Sequence, residues 1–284
     1  MSLRRFVRTP KGLLIIVLST LIVLAAPAAG VGRVLPVVIA SSAAAMLVDA
    51  PYLWMGEGAW VFPDGALVTG LIVAMVLSPF EPWYVAAVTS GIGILSKYFF
   101  RVRTANVFNP AAFGLVATFY VFHTGQSWWG ALSDISPLAL GALFAAGVFI
   151  TDRINKVPGM LAFLGTYYAL VTATAFVSDP GRVAELYRAP DLNAALFFAF
   201  FMLTDPPTSP AKHGDQLAFG AIAAIVSYGV FETIGSAYFL LAGLLVANAW
   251  EARRRVRARA RKATRRAAPG DLAGVPVSSA TAQR

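Results

Sequence analysis

The chain has no cysteine and only two histidines, His123 and His213, far apart in sequence. A disulfide, thiolate ligation of an iron–sulfur cluster and a thiol nucleophile are therefore excluded, and no metal-ligand spacing can be drawn. Charge is scarce as well. Charged residues make up 13% of the chain, about half the roughly 25% of soluble domains. Hydrophobic residues reach 58%, and mean hydropathy is +0.68. This is the composition of an integral membrane protein. The net charge of +9 comes mainly from the two ends, so it reports on membrane topology, and no nucleic-acid partner is expected. Arg4, Arg5, Arg8 and Lys11 precede an apolar run that reads as a first span, not as a cleavable leader.

Apolar runs punctuated by Gly and Pro place ten spans near residues 13–29, 33–50, 66–78, 82–96, 109–124, 136–151, 158–177, 193–204, 217–231 and 236–250. The eighth is too short to cross a bilayer alone. It runs from Phe197 through Met202 into Thr204-Asp205-Pro206-Pro207-Thr208-Ser209-Pro210. Proline stops the helix there, and the freed backbone groups need a protein or water lining. The third span is its counterpart: it begins at Asp64, passes Thr69 and stops at Ser78-Pro79. A shift of 127 residues lays Asp64 on Asp191, Ser78-Pro79 on Asp205-Pro206 and Asn109 on Ser236.

With the N-terminus inside, the inside segments carry Lys97, Arg101, Arg103, Arg153, Lys156, Lys212 and the basic tail. The outside segments hold only Arg33, Arg182 and Arg188. The positive-inside rule then puts both termini in the cytoplasm. Two halves of five spans must face in opposite directions, because five is odd. The expected fold is thus all-α and integral to a bacterial-type plasma membrane, with about ten transmembrane helices in two inverted five-helix repeats carrying broken helices. Residues 1–12 form a basic cytoplasmic N-terminus, 13–250 the membrane domain (repeats at about 13–124 and 136–250), and 251–284 a basic tail. The helical part of that tail is expected to lie along the anionic cytoplasmic leaflet or to fix orientation.

Two stretches carry chemistry. Ser96-Lys97-Tyr98-Phe99-Phe100 leads into Asn106-Val107-Phe108-Asn109-Pro110-Ala111. Asn109 suits a helix N-cap with Pro110 at the first helical position. Asn106 and Phe108 extend it into a polar–aromatic wall, and an amide has both donor and acceptor for the uracil-like edge of a flavin. The other stretch is Thr204-Asp205, since an acidic residue near membrane depth is functional by default. Its expected partner is a cation, a proton or Lys212. Together with Asp64 and Thr69 these residues form a candidate ion or substrate pathway. Trp128 and Trp129 are expected as interfacial anchors.

Asn-Val-Phe-Asn-Pro-Ala, the preceding Ser-Lys-Tyr-Phe-Phe, Leu-Val-Thr-Gly-Leu after Asp64, Phe-Phe-Met-Leu-Thr-Asp-Pro and Leu-Leu-Val-Ala-Asn-Ala at 244–249 occur here in this order. The chain in this respect resembles the NqrB/RnfD family, membrane subunits of the sodium-pumping NADH:quinone oxidoreductase and of the Rnf electron-transport complex. The resemblance covers about residues 33–249. It implies a ten-span inverted-repeat subunit that carries flavin, FMN or riboflavin, within a membrane redox complex coupled to sodium or proton movement. It also implies a flavin near Asn106 and Asn109. Its attachment motif, Ser-Gly-Ala-Thr-Pro-Leu, is degenerate here as Ser133-Asp134-Ile135-Ser136-Pro137-Leu138. Ser136 keeps a hydroxyl, but Asp134 would repel a phosphate, so the expected flavin is non-covalent. Two other functions share the fold: a small-solute or flavin transporter, and a stand-alone relative serving a biosynthetic cluster.

Overall fold

The computed structural model describes residues 6, 8–102, 105–133, 135, 137–177, 180–181, 184 and 187–267. Their ten principal α-helices fall on the ten apolar stretches of the sequence. They are α1 (Pro10–Ala29), α2 (Val31–Glu57), α3 (Asp64–Val76), α4 (Trp83–Phe99), α5 (Pro110–Phe122), α6 (Pro137–Arg153), α7 (Val157–Ala175), α8 (Asp191–Phe197), α9 (His213–Ile234) and α10 (Phe239–Ala267). Four stretches are long and apolar enough to cross a bilayer: Pro10–Ala29, Val31–Glu57, Val157–Thr174 and His213–Ile234. The helices at α3, α5 and α8 are shorter.

The helix starts show the duplication. Those of α1 to α5 lie at 10, 31, 64, 83 and 110; those of α6 to α10 lie at 137, 157, 191, 213 and 239. The offsets of 127, 126, 127, 130 and 129 stay within about one helical turn of one another. Proline sets several of these starts. Pro110 and Pro10 occupy first-turn positions where a missing N–H costs nothing, behind the side-chain caps Asn109 and Thr9.

The two copies are inverted. The first turns of α1 and α3, at Lys11 and Gly65, share one end of the molecule with the ends of their counterparts α6 and α8, at Ile154 and Thr204. At the other end, the last turn of α3 and the first turn of α8 both bond to the Trp129–Ala131 turn. There Trp129 Nε1 donates to Ala74 O at 2.8 Å and Asn193 Nδ2 donates to Ala131 O at 2.9 Å.

The broken helices α3 and α8 form the centre. Every residue from Leu71 to Leu77 and from Ala194 to Leu203 is buried. A helix that is apolar all round belongs inside a bundle. The chain continues from α8 as a π-turn over Phe198–Met202, closed by Leu203 N donating to Phe198 O at 2.9 Å. This wider turn places one extra residue in the ladder just before the prolines and is a form that recurs at functional sites.

One expectation is corrected here. Trp128 and Trp129 are not interfacial anchors. They are 7% and 4% exposed, packed against Phe197 and Phe198 and the end of α3. The basic tail is helical, as expected: its residues 251–267 continue α10 without a break.

Candidate functional site

Asn109 illustrates how one residue fastens the two repeats. Its Oδ1 accepts from Ala112 N at 3.1 Å, capping α5, and its Nδ2 donates to Met202 O at 3.3 Å, in the π-turn of the other repeat. Its own N–H donates to Asn248 Oδ1 at 2.9 Å, and Asn248 Nδ2 donates to Thr208 O at 3.4 Å. Both asparagines are buried. The N-cap reading of Asn109 therefore holds, and its amide is committed to backbone partners.

Beside this clamp lies a cavity of about 490 Å³, within the few-hundred to thousand Å³ of small-molecule sites. Its walls include Leu14, Val68, Ile72, Ile150, Phe200 and Phe201, and its polar lining includes Lys11, Thr69, Lys97, Asn106, Thr204 and Asp205. The structure thus gathers Thr69, Asn106, Asn109, Thr204 and Asp205 around one space. Asp64 is at the mouth, paired with Lys11 at 2.8 Å. Phe108 is not a lining residue; it packs with Phe100 and Phe113 behind the Asn106 segment. Ser136 lies outside the described residues.

A two-stranded hairpin positions Asn106. Strands Arg101–Val102 (β1) and Ala105–Asn106 (β2) pair antiparallel, with Arg101 opposite Asn106. Asn106 makes no side-chain hydrogen bond to a described residue, and it lines the cavity. The two threonines bond back to their own helices: Thr69 Oγ1 donates to Gly65 O at 3.0 Å, and Thr204 Oγ1 donates to Phe200 O.

Asp205 sits in the turn past the π-segment. Thr208 Oγ1 donates to its Oδ2 at 2.9 Å, and Ser209 Oγ donates to its carbonyl at 2.7 Å. The expected partner Lys212 is exposed. Of the cations that influence Asp205, Lys156 pulls most, ahead of Lys11 and Arg255, and its Nζ donates to Ser209 O at 3.3 Å and Pro210 O at 2.5 Å. Arg255 completes the collar, donating to Pro207 O at 2.9 Å and Ser209 O at 3.0 Å. Loss of water pushes the Asp205 carboxyl up to about 6, against the pull of Thr208 and Lys156. The same cause pushes the Lys156 ammonium down to about 8, against the pull of Asp205.

A residue with no expected role proves to organise the cavity wall. Asp49 on α2 is 1% exposed. It accepts from Lys97 Nζ at 2.7 Å and from Tyr98 OH at 2.5 Å, and Tyr52 stacks on Tyr98 at 4.0 Å. Lys97 therefore reaches the cavity from a fixed carboxylate. Asp49→Asn is expected to lower stability by about 1–3 kcal/mol, because the buried hydrogen bonds lose their charge. Asp64→Asn, at an exposed pair, is expected to cost less than about 1 kcal/mol. Thermal unfolding of the two variants in detergent checks that order.

The fold and cavity define a class: an inverted-repeat helical membrane protein with a partly polar chamber at one end, walled by both broken helices. Residues 4–143 match the NQR2, RnfD, RnfE family. Relatives named as a subunit of an ion-translocating oxidoreductase complex include one from Halorhodospira halophila, 25% identical over 239 residues that cover 61% of this chain and 67% of that protein. Another, from Citrobacter koseri, is 25% identical over 237 residues, covering 57% and 67%. A third, from Stutzerimonas stutzeri, is 35% identical over 101 residues, covering 35% and 27%. The first half of the chain is thus similar to the NQR2, RnfD, RnfE family, and the chain spans about two thirds of the length of the first two relatives.

Proposed function

We propose that this chain is a membrane subunit of an ion-translocating electron-transport system and that its cavity holds a flavin without a covalent bond. The observation that carries the reading is the cavity's lining, in a chain whose relatives bear that complex's name. Aliphatic side chains and Phe200 and Phe201 suit the faces of a fused ring, and the Asn106 amide suits its hydrogen-bonding edge. Lys11 and Lys97 at the cavity supply cations for a phosphate. When bound, a flavin supplies one- and two-electron chemistry.

The protein's part is binding and electrostatics. The cavity's apolar walls limit water, Asp49 holds Lys97 in place, and the Lys156–Arg255 collar fixes the turn carrying Asp205. Asp205, with its carboxyl raised towards neutrality, is the acidic group suited to exchange a proton or meet a cation at the cavity floor. The cavity end is assigned to the cytoplasm, because Lys11, Lys97, Lys156 and Arg255 gather there. The other subunits of such a complex are the proposed partners.

The test is direct. Protein purified in mild detergent is expected to be yellow, with flavin released by denaturation and none left on the polypeptide by mass spectrometry. Asn106→Leu is expected to reduce the flavin-to-protein ratio at least about tenfold, consistent with leaving buried polar groups of the ligand unpaired. A colourless wild-type preparation, or an Asn106→Leu variant that keeps its full complement, would refute the assignment.

A further inference from the structure

Helix α10 leaves the bundle carrying charge on one face. Counting from Trp250 at about 100° per residue, Trp250, Arg253, Arg254, Arg257 and Arg261 fall within an arc of about 100°. They border a surface concavity of about 300 Å³. The face is not neutralised by the protein. Arg254 is committed to Glu251 and Asp215 at 2.7 Å each, and Arg255, on another face, to Glu251 at 2.7 Å. Arg253, Arg257 and Arg261 are exposed and have no acidic partner among the described residues.

Depth matters as much as charge. The apolar part of α10 ends at Trp250, and tryptophan favours the membrane–water boundary. Arg253, Arg257 and Arg261 then stand about 5, 10 and 16 Å further along the axis. The headgroup layer occupies roughly 5–8 Å per leaflet. Side chains on a helix lean towards its N-terminus, which here is the membrane. Arg253 and Arg257 therefore reach back to phosphate level, with aliphatic stems beside Trp250, and Arg261 borders the same concavity from just beyond the headgroup layer.

We propose that this face is a binding site for the phosphodiester headgroup of an anionic phospholipid, held by Arg253, Arg257 and Arg261 against Trp250. Guanidinium matches phosphate oxygens two at a time, and two turns of helix offer donors to more than one phosphate. The site is continuous with the span, so the lipid reaches it by lateral diffusion. A free polyanion has no such route to the lower arginines.

The full chain in detergent, titrated with phosphatidylglycerol or with phosphatidylcholine of the same acyl chains and followed by native mass spectrometry, tests this. Wild type is expected to prefer phosphatidylglycerol at least about tenfold, since each arginine removed should weaken that preference about fivefold. The Arg253→Gln/Arg257→Gln/Arg261→Gln variant therefore loses it. Arg259→Gln, on the opposite face, keeps it. Should the triple variant not remain monodisperse, Arg257→Gln alone carries the test through its about fivefold loss. An unchanged preference in the arginine variants, or an equal loss in Arg259→Gln, overturns the proposal. So does displacement of the lipid by inorganic phosphate, or by a single-stranded RNA oligonucleotide, at charge equivalence.

Discussion

Asn109→Leu is expected to lower the stability of the purified protein by about 2–4 kcal/mol. The substitution removes the cap of α5, worth about 1 kcal/mol. It also leaves Met202 O with only the Asp205 N–H at 3.4 Å, and a buried acceptor deprived of a partner costs about 1–3 kcal/mol. Asn248→Leu attacks the same bridge from the other repeat by depriving the Asn109 N–H and the Thr208 carbonyl of their partner. The two losses should not add. A double-mutant cycle on thermal unfolding is expected to give a coupling of about 0.5–3 kcal/mol. Independent losses would show that the amides do not act as one clamp. This also fixes how flavin binding is to be probed: loss of flavin in Asn109→Leu would report on folding, whereas Asn106 can be changed without breaking a described side-chain bond.

The second large effect lies where helices touch through glycine. A methyl on Gly114 would stand 2.3 Å from Thr89 O, and one on Gly243 would stand 2.5 Å from Ala223 O and against Ser227 Oγ. These are corresponding places in the two repeats, at the crossings of α4 with α5 and of α9 with α10. The obstacle is helix backbone, which cannot swing aside, so the helices themselves must separate. Gly114→Ala and Gly243→Ala are each expected to cost about 3 kcal/mol or more, at the upper end for overpacking. Gly165 and Gly229, also helical, have open space where the methyl would go. Gly165→Ala and Gly229→Ala are expected to stabilise slightly, by up to about 1 kcal/mol, through helix propensity. Size-exclusion profiles and unfolding temperatures of the four variants decide whether close approach, and not glycine content, sets the tolerance.

The helices were legible because their signals are local. Apolar runs ended by Gly or Pro locate all ten, and the acidic residues that open α3 and α8 sit at the shift found in the sequence. The cavity was legible in outline, because the helix-breaking prolines and the Asn106–Pro110 segment each announce a backbone that needs partners. What stayed hidden depends on distance along the chain. Asp49 is a lone acid inside an apolar helix, and its partners are 48 and 49 residues away. Lys156 and Arg255 look like topology markers until folding brings them onto the carbonyls of residues 207–210. Trp128 and Trp129 follow the end of α5 in sequence, where an interfacial place is the natural reading. The backbone then turns them inward, with left-handed residues at Trp128 and Leu132 on either side of the Trp129–Ala131 turn.

That inward turn has a consequence for the molecule as a machine. A frame built twice in opposite senses would, left alone, have two equivalent mouths. Here a stopper of Trp128, Trp129 and Gly130 is wedged against Met75, Ala74 and Phe197 at one of them. The other keeps a hairpin and an open chamber. Sidedness is therefore carried by a few residues laid over an even-handed scaffold.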